Sequence, residues 1–140
     1  MHIGFDLDGV LDRPSLKELC LTLLGAGVTV SCITGVFPEA LNWQDADAKR
    51  RKMERLGLPY VELGRRHTVK EEDMVGKVRL HILIAVPSTF DRDYRLMDLG
   101  LRKGALCEEL GIEIMLDDSE TYCDAVPKMS GATTILHVRH

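Results

Sequence analysis

The chain has 140 residues, 45% of them hydrophobic and 29% charged, with a formal net charge of −4. That length suits one domain, residues 1–140, able to bury roughly 68–70% of its unfolded surface, and so modest a charge points to no particular partner. There is no apolar run near the roughly 18 residues of a membrane helix, no leader-like start, no C-x-x-C among Cys20, Cys32, Cys107 and Cys123, and no zinc-type spacing among the five histidines; the expectation is a reduced, cytoplasmic chain without zinc.

Residues 3–7, IGFDL, are a short apolar run ending in acid, which predicts a buried strand. Ser15 with Glu18 three residues on predicts a capping box, and Leu16, Leu19, Cys20, Leu23 and Leu24 keep helical spacing up to Gly25. The β-branched run 28–33, VTVSCI, predicts a second strand ending at Thr34 and Gly35. Residues 46–58 predict a polar helix with Met53 and Leu56 inward, 60–63 (YVEL) a strand, and 77–86 a stronger strand stopped by Pro87. A helix is expected from Arg102 to Leu110 before Gly111, then a strand at 112–116 running into Asp117 and Asp118. A short helix at 120–125 and a strand at 133–138 complete the chain. Strands alternating with helices imply a layered α/β domain with parallel pairing. Residues 64–101 are the least readable stretch and exceed an ordinary connection, which leaves room for a small insertion or lid.

In open parallel sheets, ligands bind beyond the carboxyl ends of the strands. Three predicted strands end in polar residues: Asp6 and Asp8, then Thr34, then Asp117 and Asp118. Brought to one edge, four carboxylates repel one another unless a cation lies among them, and oxygen ligands without His or Cys favour Mg²⁺. Lys103 can supply a further positive charge. Each feature alone has a plain reading. D-x-D-G is a polar turn, Thr34 an ordinary strand residue, Asp117-Asp118 a helix cap, and Lys103 a solvated lysine. The order of the four is the specific signal.

That ordered set, FDLDGV, CITG, LRKGALCEELGI and MLDDSE, resembles the haloacid dehalogenase-like (HAD) hydrolase superfamily, over residues 3–138 with 64–101 poorly matched. Lys77 and Arg102 compete for the lysine position; Arg102 has a planar fork rather than a compact ammonium. Response-regulator receivers share Asp, Thr and Lys, but place their acidic pair first and explain nothing at 117–118. The resemblance implies a Rossmann-like three-layer sandwich with a mainly parallel central sheet, and phosphoryl transfer through an aspartyl-phosphate. Asp6 is then the nucleophile and a metal ligand, and Asp8 the general acid and base. Thr34, Gly35 and nearby backbone N–H groups hold phosphoryl oxygens, and Lys103 offsets the charge. Asp118 is the preferred direct Mg²⁺ ligand with the Asp8 carbonyl, and Asp117 is outer or water-mediated. The acid at position 8 argues for phosphate-ester hydrolysis rather than dehalogenation.

Six residues between Asp8 and Ser15 leave no room for a cap domain, so a minimal, open site is expected. It would suit a bulky phosphorylated substrate, or be closed by a neighbouring subunit of a homo-oligomer. Between Lys49 and Arg79 there are ten Lys/Arg against five Asp/Glu. Lys49, Arg50, Arg51, Lys52, Arg55, Arg65 and Arg66 read first as a solvated helix face and second as a polyanion-binding rim. The alternative function is a catalytically silent module that keeps the fold and binds or regulates without turnover.

Overall fold

The computed structural model describes residues 1–37, 39, 45–64 and 69–140. Six strands form one sheet: β1 (His2–Phe5), β2 (Thr29–Val36), β3 (Tyr60–Leu63), β4 (Val78–Ile84), β5 (Ile114–Asp117) and β6 (Thr134–His137). Their order is β3-β4-β2-β1-β5-β6, and every pairing is parallel. The helices are α1 (Pro14–Gly25), α2 (Ala46–Arg55), α3 (Glu71–Met74), α4 (Arg92–Leu110) and α5 (Glu120–Met129). From β1 the chain places β2, β3 and β4 on one side, with β4 between β2 and β3, then crosses back to place β5 on the other. The carboxyl end of β1 is therefore the place where the winding reverses, where such sheets open a crevice for ligands.

The sheet is buried on both faces, so its central strands are apolar without strict alternation; β2 is buried at six of its eight positions. Neighbouring residues still point to opposite faces. Cys32 packs with Phe5, with Cys20 and Leu24 of α1, and with Met53 of α2. Ile33 packs with Cys107 of α4 and Val126 of α5. The result is a three-layer sandwich with α1 and α2 on one side, α4 and α5 on the other, and no large cap among the described residues. All four cysteines are buried free thiols. Among the described residues no helix is long and apolar enough to cross a membrane.

Several boundaries differ from the expectations. The capping box at Ser15 does not form: α1 starts two residues earlier, with Arg13 rather than Ser15 at the N-cap, Pro14 in its first turn and no side-chain cap. Proline suits that position because its missing N–H would have no helical acceptor there. α2 stops at Arg55, and Gly57 takes a φ of 70° beyond it. The largest difference is α4, which starts at Arg92 rather than Arg102 and runs for 19 residues. Its N-cap is Asp91, whose side chain accepts from Tyr94 N at 2.9 Å. Two glycines inside it, Gly100 and Gly104, weaken the helical signal locally and are kept for packing: an added Cβ would lie 2.8 Å from Ala125 Cβ at the first, and 2.8 Å from Val126 O at the second. α5 runs on to Met129 through Pro127. The described part of 64–101 thus holds α3, β4 and the first half of α4. Residues 65–68, with Arg65 and Arg66, lie outside the described residues.

Candidate active site

The site forms where β1, β2 and β5 end. Asp6 follows β1 directly, and its backbone N–H donates to Leu116 O of β5 at 2.9 Å. This ties the two strand tips together beneath their carboxylates. Asp117 is the last residue of β5 and is wholly buried; Asp6 is 7% exposed. Lys103 reaches in from α4 with 1% exposure. Its Nζ lies 2.7 Å from Asp117 Oδ2 and 3.2 Å from Asp6 Oδ1, under the ring of Tyr122 at 4.3 Å from the centroid. Lys77 precedes β4 at the opposite edge of the sheet, and Arg102 pairs instead with Asp98 and with Ile84 O.

Burial opposes the charge on Lys103, but the Asp117 and Asp6 carboxylates outweigh it and raise the ammonium's pKa above the lysine range. Asp6 has the contrary balance. Its burial pushes the carboxyl up to about 7 against the pull of Lys103, and Asp117 adds to the rise.

Asp118 stands just past β5. Oxygens of Asp6, Asp117 and Asp118 lie within 4.8 Å of one another. One oxygen of Asp117 is taken by Lys103 and the other accepts from Ser119 N at 3.0 Å. Asp6 and Asp118 therefore have more free lone pairs to offer. Three carboxylates so close offer only oxygen donors, the kind of ligand set that could hold a hard divalent cation. Gly9 makes room for this approach: φ is 77°, and an added Cβ would stand 2.0 Å from Asp118 Oδ2. A side chain there would be strained at that φ and would have to push the Asp118 carboxylate aside. The exposed end of Asp118 accepts from His140 Nε2 at 3.2 Å.

Asp8 lies outside that group of carboxylates. Its oxygens are taken up by two lysines of α2, Lys49 and, at 2.6 Å, Lys52. Lys52 also bonds Asp12 at 2.7 Å. Asp8 still borders the same cavity as Asp6, Thr34 and Gly35, a space of about 460 Å³. Thr34 is 1% exposed, two residues beyond Cys32, the partner of Phe5 in the sheet.

The basic segment is less solvated than its composition suggests. Lys49 is 2% exposed, and Arg50 pairs with Asp47 and Glu62. Lys49 was legible in one respect: it precedes Met53 by four residues, so both fall on the inner face of α2. Tyr122 and Arg95 also border the cavity and were not foreseen. Both lie on helices whose position over the sheet edge no local pattern specifies. The chain matches no family model and no curated protein.

Proposed function

We propose that the protein is a Mg²⁺-dependent phosphomonoesterase of the HAD-like kind, acting through an aspartyl-phosphate on Asp6. The observation that carries this reading is the meeting of Asp6, Asp117, Asp118 and Lys103 at the carboxyl edge of a parallel sheet, beside a cavity that Thr34 borders. Asp6, Asp118 and the Asp8 backbone carbonyl would hold the cation, with Asp117 behind them. Bound there, it supplies charge neutralisation for the phosphoryl group and favours the ionised form of Asp6.

In the first step the Asp6 carboxylate attacks phosphorus, the P–O bond to the substrate alcohol breaks, and the departing oxygen takes a proton through Asp8, supplied by the Lys49 or Lys52 ammonium in contact with it and returned there in the second step. In the second, Asp8 takes a proton from water as its oxygen attacks phosphorus, releasing inorganic phosphate and restoring Asp6. The Thr34 hydroxyl and the backbone N–H groups that follow it donate to phosphoryl oxygens. Lys103 keeps Asp6 and the phosphoryl group from repelling each other. Lys49 and Lys52 position Asp8 from the α2 side. Without a large cap, water reaches the intermediate, which favours hydrolysis over transfer. A cytoplasmic setting, where the four thiols stay reduced, belongs to the same proposal.

The test is hydrolysis of para-nitrophenyl phosphate with Mg²⁺, with EDTA, and by Asp6→Asn. Expected are loss of turnover in EDTA, its return with Mg²⁺, and background rates in the variant. Undiminished turnover by Asp6→Asn would overturn the assignment.

A further inference from the structure

A second buried cation borders the cavity. Arg95, on the first turns of α4, is 8% exposed and borders the same space as Asp6 and Thr34. It is fastened on two sides: Nε donates to Val86 O at 2.9 Å, and the guanidinium lies over the Phe37 ring, 4.9 Å from its centroid. Its Nη2 meets the Glu39 carboxylate as an ion pair, yet is buried without a well-aligned hydrogen bond. The Glu39 side chain is 41% exposed, so solvent competes for it. A buried fork, held by Val86 O and Phe37, thus pairs with a half-exposed carboxylate at the border of the cavity that Asp6 and Thr34 also line. Leu96 and Tyr122 give the same cavity apolar surface, and the exposed Arg92 adds charge to its lining.

We infer that Arg95 is a specificity residue that binds a second anionic group of the substrate, and that this substrate is a small phosphomonoester carrying a carboxylate. The inference rests on the phosphatase reading and deepens it. Glu39 indicates the chemistry the fork accepts: a carboxylate for a carboxylate, with no change in charge or shape. A guanidinium fork matches two carboxylate oxygens at once. A space of about 460 Å³ is the size that takes a small molecule. The apolar wall tolerates a hydrocarbon or aryl spacer between the two anions.

Binding is measured by calorimetry on Asp6→Asn with Mg²⁺ present, so the result does not depend on turnover. Two matched pairs serve as probes: para-carboxyphenyl phosphate against para-carbamoylphenyl phosphate, and phosphoglycolate against hydroxyethyl phosphate. The carboxylate member of at least one pair is expected to bind about tenfold tighter, the size of one charge-assisted contact. Adding Arg95→Gln should erase that preference. Adding Glu39→Gln, which removes the competitor and leaves the fork in place, should widen it severalfold. Equal affinity within both pairs, a preference that survives Arg95→Gln, or an equal loss for both members would overturn the inference. Tighter binding of para-phenylene bisphosphate than of the carboxylate would overturn the carboxylate assignment. Absence of turnover in the native protein, by contrast, would count only against the phosphatase reading.

Discussion

Lys103 Nζ stands 2.7 Å from Asp117 Oδ2, with the lysine side chain 1% exposed and the aspartate not at all. The same ammonium lies 3.2 Å from Asp6 Oδ1, so one charge joins the tips of two neighbouring strands. Its removal leaves two acids buried at one edge without a protein cation in contact. Taking away one partner of a buried pair costs about 3–5 kcal/mol. Lys103→Met should lower stability by that order in urea titration at neutral pH and abolish turnover. Lys103→Arg should not restore turnover, because the planar fork does not fit the space of an ammonium under Tyr122. A midpoint unchanged in Lys103→Met would show that the pair contributes nothing net.

Asp6 should weaken the cation-free fold at neutral pH. Its carboxyl is raised from 3.8 to about 7, first by burial. The folded state therefore holds a proton that the unfolded state has released. The penalty is absent below about pH 4, grows between about pH 4 and 7, and is complete above. Asparagine does not ionise. In EDTA, Asp6→Asn should be more stable than the native chain at pH 8 by on the order of 1 kcal/mol, part of the gain being offset by the lost Lys103 contact. The gain should vanish toward about pH 4. Thermal melts across that range read it directly; a gain independent of pH would refute the assignment.

Gly104 sets how closely α4 approaches α5, and with it how far Lys103 reaches. A Cβ there would lie 2.8 Å from Val126 O and 3.0 Å from Val126 Cα, backbone atoms that cannot swing aside. Gly104→Ala should cost about 1–3 kcal/mol by overpacking, even though alanine favours a helix by about 1 kcal/mol over glycine. Gly25, at the end of α1, has nothing within 4 Å of an added Cβ, so Gly25→Ala is the matched control and should be neutral or stabilising. Equal effects at both positions would show that close packing is not what Gly104 provides.

His81 gives the fold an acid limit. It is 8% exposed on β4, its Nε2 has no partner, and burial, with His2 and Arg79 adding, lowers its pKa from 6.5 to about 4. The folded imidazole stays neutral where the unfolded one is protonated. Stability is full above about pH 6.5, falls as pH drops from there to about 4, by up to about 3 kcal/mol in all, and levels off below. His81→Leu should flatten that slope, and should raise stability by removing an unmatched polar atom. Stability curves of equal slope would place the acid sensitivity elsewhere.

The residues of the sheet edge were legible because they rest on local rules. An apolar run closed by Asp6, a β-branched run closed by Thr34, and IEIML running into Asp117 and Asp118 each mark a strand and its tip. Parallel strands then put all three tips at one edge. The first half of α4 was obscured by Gly100, which lowers helix propensity yet is needed at the α5 contact; Gly104, needed there too, falls within the expected Arg102–Leu110 helix. The basic segment misled for a related reason: composition records the charge on Lys49, not the acid that meets it.

By itself, then, the sequence determined the strands, their polar tips and the parallel α/β layout, because side-chain period and turn chemistry act between near neighbours. Tertiary structure alone decided that Lys103 rather than Lys77 enters the acidic cluster, since the two stand at opposite edges of the sheet. It alone brought Lys49 to Asp8 across 41 residues, and turned Arg95 toward the cavity of Asp6. Those pairings depend on where helices settle over the sheet, which is set by the packing of whole faces. No local period carries that information.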